Sequence, residues 1–110
     1  MYKQGEIIIV PFPFSNLSSI KQKPVLVLSK NTDNEKVEDV ITCGITSNIK
    51  DSRYSVLIEK KNLVEGSIPK TSRIKVDKLF TISQDIIKKK VGRINRETFE
   101  KVRSEFIDLV

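Results

Sequence analysis

A small, strongly bent β-barrel closed by one C-terminal helix is the architecture the sequence predicts, and three observations predict it. Five short segments carry the β-branched enrichment or the period-2 alternation of strands. Clusters of Pro, Gly, Ser, Asn and Asp punctuate them. Apolar residues recur at helical spacing only after Asn95. The 110 residues suit a single domain spanning 1–110, with no internal repeat, low-complexity tract or linker. Strands and helices do not alternate, which argues against a parallel α/β sheet.

Glu6 to Phe12 is an apolar, β-branched run ended by Pro11-Phe12-Pro13, and its continuous apolarity predicts a strand buried on both faces. Pro24 to Leu28 repeats the pattern, with proline acceptable at a strand's first position. Between them, Pro13 to Lys23 reads as a long loop. It contains Ser15 and Asn16 and is expected to border a site and to be the most mobile segment, because long connections are often functional. Ser29 to Asn34 is a polar turn cluster. Val37 to Thr46 reads as the third strand, Tyr54 to Glu59 as the fourth and Ser72 to Ile82 as a long fifth. Glu65 to Lys70 supplies a turn, and Ser83 to Lys89 a short helical turn. Asn95 is the expected N-cap of a helix whose apolar face is Phe99, Val102, Phe106, Leu109 and Val110.

Twenty Lys and Arg against fourteen Asp and Glu give a formal charge of +6, which favours a polyanionic partner as well as simple solubility. Histidine is absent, which excludes histidine-paired triads and HExxH metalloenzymes. Cys43 is the only cysteine. It cannot form an intramolecular disulfide or a cysteine-based zinc site, and without a histidine to activate it, it reads as a small core residue. No apolar run is long enough for a membrane span, and Met1 to Glu6 lacks the apolar region of a signal peptide, so a cytoplasmic location is expected.

Period-2 alternation along the fifth strand puts Ile74, Val76, Phe80 and Ile82 on one face and Arg73, Lys75, Asp77 and Thr81 on the other, with Lys78 breaking the apolar face at a bulge. Residues two apart on a strand lie roughly 6.5–7 Å from each other, close to the spacing of successive phosphates. Arg73 and Lys75 can each hold one, or they can simply flank Asp77 on a solvated face. Thr46, Ser47 and Asn48 offer hydrogen bonds to a phosphate or sugar hydroxyl, or form an ordinary turn. Lys21 and Lys23 stand before Pro24, which restricts Lys23 to extended backbone; the plainer reading is exposed loop charge. Lys88-Lys89-Lys90 reads as a solvated charge run.

Gly5-Glu6-Ile7-Ile8-Ile9-Val10-Pro11-Phe12-Pro13-Phe14-Ser15, Lys23-Pro24-Val25-Leu26-Val27-Leu28-Ser29 and Gly44-Ile45-Thr46-Ser47 together resemble the MazF/PemK family of toxin endoribonucleases. So do Ser72 to Ile82 and Val91-Gly92-Arg93-Ile94, and the likeness covers nearly the whole chain. The resemblance implies an SH3-like barrel, a homodimer, and a cognate antitoxin with an acidic C-terminal segment. It also implies metal-independent, cofactor-free cleavage of single-stranded RNA, in which the RNA's own 2′-hydroxyl attacks the adjacent phosphate to give a 2′,3′-cyclic phosphate. By the same likeness the catalytic arginine falls on Lys23 and the catalytic threonine on Thr46. An arginine and an aspartate used by some members fall on Lys75 and Asp77, with Arg73 nearby. Ser47, Asn48, Arg73, Lys21, Ser15 and Asn16 are the expected RNA contacts. Lysine supplies charge without the planar fork of arginine. A barrel of the same shape that binds without cleaving is therefore the alternative: a gyrase poison of the CcdB type, or a member retaining only RNA or antitoxin binding.

Overall fold

The computed structural model describes residues 1–13 and 20–110. These form a curled antiparallel sheet, a half-barrel, with one long helix at the C-terminal end. The strands are β1 (Glu6–Pro13), β2 (Ile20–Val27), β3 (Asp39–Thr46), β4 (Ser55–Ile58), β5 (Leu63–Gly66), β6 (Ser72–Ser83) and β7 (Lys89–Ile94). The helices are α1 (Asn31–Lys36) and α2 (Arg96–Leu109), with 3-10 turns over Lys60–Asn62 and Gln84–Ile86. Among the described residues the strand order is β4-β6-β3-β2-β1-β7-β5.

The expectation that the first strand is buried on both faces holds, because the sheet carries apolar material on each side. Ile7 belongs to one cluster with Leu26, Cys43, Ile45, Ile74, Val76 and Val102. Its neighbour Ile8 belongs to another with Val10, Val25, Val27, Val40 and Ile82. Helix α2 covers the first cluster: Val102 is fully buried, and Phe99 and Phe106 pack against it. Asn95 caps the helix as expected, its Oδ1 accepting from the Thr98 N–H at 2.8 Å. Val110, expected on the apolar face, is exposed at the helix end.

Three segments differ from the sequence-based expectation. The β1–β2 ladder runs from Ile7–Leu26 to Pro13–Ile20, so Lys21, Gln22 and Lys23 are strand residues; the rest of the expected loop, 14–19, lies outside the described residues. The polar cluster after Leu28 contains α1, where Asn34 is buried. Its Oδ1 accepts from the Ser29 hydroxyl at 2.6 Å, and its Nδ2 donates to the Ser29 and Tyr2 carbonyls at 2.9 and 3.1 Å. The third difference is a pair of strands, β5 and β7, in what read as a turn and a charge run. Glu65 on β5 accepts from Lys90 Nζ at 2.7 Å and from Arg93 Nε at 3.2 Å on β7, and Lys90 also reaches Glu6 at 3.3 Å. Those partners hold the Glu65 carboxyl below its ordinary range. Gly66 lets β5 lie against β7: it has φ +71°, and a Cβ there would stand 2.0 Å from the Val91 carbonyl oxygen.

The fifth predicted strand, now β6, changes face halfway. Gly44 of β3 pairs with Lys75, but the preceding residue, Cys43, pairs with Leu79. Val76, Asp77 and Lys78 are therefore extra residues on β6, and an odd insertion reverses the alternation. Ile74 and Val76 pack into the first cluster, whereas Phe80 and Ile82 join the second. The single apolar face expected from Ile74 to Ile82 is thus split between the two faces, while Lys78 does sit in a bulge. Cys43 is buried opposite the bulge. Loss of solvent, reinforced by the negative charge of Asp77, pushes its thiol up to about 12.

Three outcomes follow from this packing. Ile7→Ala is expected to cost about 2–5 kcal/mol in urea unfolding, whereas Ile107→Ala, on the exposed side of α2, changes stability by less than about 0.5 kcal/mol. Because the Glu65 carboxyl is lowered from 4.5, the stability it contributes is complete above that pH and lost as pH falls through the lowered value. The stability gap between wild type and Glu65→Gln should accordingly narrow in denaturation curves taken below about pH 4.5. Cys43 should resist a disulfide-exchange reagent at pH 8 in the native protein and react fully in guanidinium.

Candidate nucleic-acid groove

The groove begins where two neighbouring strands part. β2 pairs with β3 only from Val27–Thr42 to Val25–Gly44, although both strands continue. Pro24 explains the stop. The Val27 carbonyl accepts from Gly5 on the β1 side and the Leu28 N–H donates to Ile41 on the β3 side. Strand alternation then turns the Pro24 nitrogen toward β3, where its ring has no proton to give. Beyond Pro24 the ladder opens into a cavity of about 760 Å³.

One wall is Lys23, Pro24 and Val25 of β2 with Phe12 of β1, and the floor is Gly44, Ile45 and Thr46. The far wall comes from β6 and from the segment after β3. Lys75, Lys78, Leu79 and Phe80 line it on one side, and Asn48, Lys50, Asp51 and Ser52 on the other. Four lysines and one carboxylate therefore face the cavity, so its potential is positive. Phe12 and Phe80 meet edge to face with centroids 5.2 Å apart, and Lys23 Nζ lies 5.3 Å from the Phe12 centroid.

Of the residues singled out from sequence, Lys23, Thr46, Asn48 and Lys75 come together in this groove. Thr46 ends β3 and is half-buried, and its Oγ1 accepts from the Asn48 N–H at 3.1 Å; Asn48 Oδ1 accepts from the Lys50 N–H at 3.1 Å. The segment is a turn, and two of its residues, Thr46 and Asn48, line the groove. Ser47 is exposed beside the groove, and Lys21 is exposed on β2 opposite Phe12. Ser15 and Asn16 lie outside the described residues.

Arg73 and Asp77 do not line the cavity. Arg73 faces the 47–54 segment, donating from Nε to the Ile49 carbonyl at 3.3 Å and from Nη1 to Ser55 Oγ at 3.1 Å, with Asp51 at 3.4 Å. Asp77 is exposed in the bulge, near Cys43 rather than in the groove with Lys75. The bulge is the reason: it removes Asp77 from the alternation that relates it to Lys75 in an unbroken strand. Reasoning from sequence missed Lys50, Ser52 and Lys78, whose places depend on that bulge and on an irregular segment. Lys75 Nζ donates to Ser52 Oγ at 2.8 Å. Among the described residues no group of three or more His, Cys, Asp or Glu is arranged to hold a metal ion, and no helix is long and apolar enough to cross a membrane.

Comparison with known proteins places this geometry in a family. The model for the PemK-like, MazF-like toxins of type II toxin–antitoxin systems matches residues 3–110. Among solved structures, a mycobacterial endoribonuclease in complex with its cognate antitoxin superposes with a TM-score of 0.78 at 18% identity, covering 98% of this chain and 93% of that one. A MazE–MazF complex from Deinococcus radiodurans gives 0.79 at 15% identity over 98% and 94%. The Mycobacterium tuberculosis toxin MazF-mt6 gives 0.71 at 17% identity over 92% and 93%. Curated protein sequences yield no match. The half-barrel with its terminal helix is the fold of these toxins, and with the family model matching nearly its full length the chain belongs to the PemK-like, MazF-like toxin family of type II toxin–antitoxin systems.

Proposed function

We propose that residues 1–110 act as one toxin domain, a sequence-specific endoribonuclease that cleaves single-stranded messenger RNA without a metal or other cofactor. The observation that carries this reading is the groove itself, where Lys23, Lys50, Lys75 and Lys78 surround Thr46. Four cations around small hydroxyl groups suit the phosphodiester backbone, and the Phe12–Phe80 pair offers an aromatic edge for a flanking base.

Cleavage in this groove requires little covalent chemistry from the protein. The 2′-hydroxyl of one nucleotide gives its proton to solvent as its oxygen attacks the adjacent phosphorus, and the bond to the 5′-oxygen breaks as that oxygen takes a proton from solvent, leaving a 2′,3′-cyclic phosphate and a 5′-hydroxyl. The protein's part is to align the 2′-oxygen in line with the leaving oxygen and to stabilise the added charge on the phosphorane. Lys23 supplies that charge from β2 and Lys75 from β6, while the Thr46 and Ser47 hydroxyls hold phosphate or 2′-oxygen. Asp77, outside the groove, takes no part in proton transfer beside Lys75 on this reading. Lysine ammonium groups act here as point charges in place of the bidentate grip of arginine.

The antitoxin reading follows from the same electrostatics. An acidic C-terminal segment mimics the spacing of RNA phosphates and competes for the same lysines. Relatives with the same fold have been solved in complex with antitoxins, which supports a cognate antitoxin for this chain. We propose in addition that the toxin is a cytoplasmic homodimer.

Purified protein incubated with a long single-stranded RNA in EDTA, with the new ends mapped by primer extension, tests the proposal. Cuts at a recurring short motif are expected, reduced about 100-fold or more in Lys23→Ala and Thr46→Ala, the scale of losing one transition-state contact. Intact RNA from folded protein would favour the non-cleaving binder, and undiminished cutting by Lys23→Ala would remove Lys23 from its role.

A further inference from the structure

Lys75 reaches the groove on a flexible four-carbon stem, so its charge is useful in alignment only if something fixes the ammonium group. Its Nζ donates to Ser52 Oγ at 2.8 Å. The Ser52 proton is committed elsewhere, to Ser55 Oγ at 3.1 Å. Ser55 donates in turn to the Ser52 carbonyl at 2.6 Å and accepts from Arg73 Nη1 at 3.1 Å. Each donor in the chain therefore has a direction, and Ser52 Oγ, its proton given to Ser55, meets Lys75 as an acceptor.

The backbone that brings the two serines face to face is strained. Tyr54, between them, has φ +55°, the left-handed region that non-glycine residues avoid. Its carbonyl accepts from the Val76 N–H at 2.9 Å, which pins the strained residue to the start of the bulge. Arg73 completes the brace through the Ile49 carbonyl and Asp51.

The choice of partner matters as much as its position. Lys90, on the far side of the sheet, is held by the carboxylates of Glu6 and Glu65, which cancel its charge. Ser52 is neutral, so it holds Lys75 while leaving the full positive charge to a ligand in the groove. Among the described residues Ser52 takes one of three ammonium N–H donors.

We propose that Ser52, braced by Ser55 and Arg73, is a positioning residue that sets the Lys75 ammonium for the RNA phosphate; this rests on the endoribonuclease reading above. Arg73 then acts through the brace instead of touching RNA.

The test compares wild type, Ser52→Ala and Ser52→Thr in two readouts: steady-state cleavage of a single-stranded RNA, and the 15N resonance of Lys75 Nζ, assigned through Lys75→Arg. The resonance is recorded with and without an all-2′-deoxy oligonucleotide of the same sequence. Ser52→Ala should lower kcat about tenfold with KM within about twofold, and the Lys75 signal should merge with those of surface lysines while the melting temperature holds. Ser52→Thr, which keeps the hydroxyl, should restore both. An unchanged Lys75 signal in Ser52→Ala overturns the inference, as does a lost signal with unchanged kcat. A wild type that leaves RNA intact sinks the endoribonuclease reading alone. The positioning inference is then decided by the resonance: it stands if the deoxy-oligonucleotide shifts the signal in wild type and Ser52→Thr but not in Ser52→Ala, and it fails otherwise.

Discussion

The register shift between β3 and β6 is the constraint on which the site depends. An odd number of extra residues between the Lys75–Gly44 and Leu79–Cys43 pairs reverses which side of the sheet each β6 residue faces. Before the shift, β6 supplies Ile74 and Val76 to the cluster under α2; after it, Phe80 and Ile82 go to the opposite cluster. One strand thus serves both cores of a curled sheet. The residues at the reversal, Lys75, Lys78 and Leu79, become the wall of the groove. Pro24 does the complementary work on β2 by withholding a donor where the β2–β3 ladder would have continued. The groove is the gap left by two local failures of strand pairing, each with an identifiable cause.

The cations that tie the edge of the sheet and the Lys75 ammonium in the groove are held by different kinds of partner. Lys90 and Arg93 share the Glu65 carboxylate, with Glu6 beside Lys90, and together they tie β5 and β7 to the edge of the sheet. Arg73 is occupied by Asp51 and by the 47–54 backbone. Lys75, by contrast, is held by a hydroxyl, and the Lys23 ammonium sits beside the Phe12 ring, 5.3 Å from its centroid. A hydroxyl orients the Lys75 cation without cancelling its charge. Lys23 and Lys75 place charge in the groove without the bidentate grip of arginine.

Local signals were read correctly where local physics decides the outcome. The unbroken apolar run from Ile7 to Val10 specified a strand buried on both sides, and Asn95 ahead of a 3.6-residue periodicity specified a capped helix. β7 was hidden because Lys88, Lys89 and Lys90 read as solvated charge; what makes it a strand is pairing with β1 and ion pairs to Glu6 and Glu65, remote in sequence. β5 was hidden by its shortness and by Gly66, whose left-handed backbone reads as a turn but serves the close approach to β7. Lys23, Thr46 and Lys75 were legible as candidates through the likeness to the family, since taken alone they read equally as loop charge, an ordinary turn and a solvated face. Ser52 was not, since a serine in an irregular segment carries no pattern.

The sequence by itself determined the mainly β architecture, the terminal helix, the family, and the kinds of side chain available for chemistry in a protein without histidine. The architecture and helix follow from periodicity and propensity and the available side chains from composition, which act over neighbouring residues, while the family follows from the resemblance of its motifs. Only the tertiary structure decided which candidates share one cavity: it gathered Lys23, Thr46, Asn48 and Lys75, and it turned Arg73 and Asp77 away. The physical reason is that strand alternation predicts facing only while register is kept. The shift between Cys43 and Gly44 arises from pairing between segments distant along the chain; the local pattern marks Lys78 as an interruption but does not record the three-residue shift.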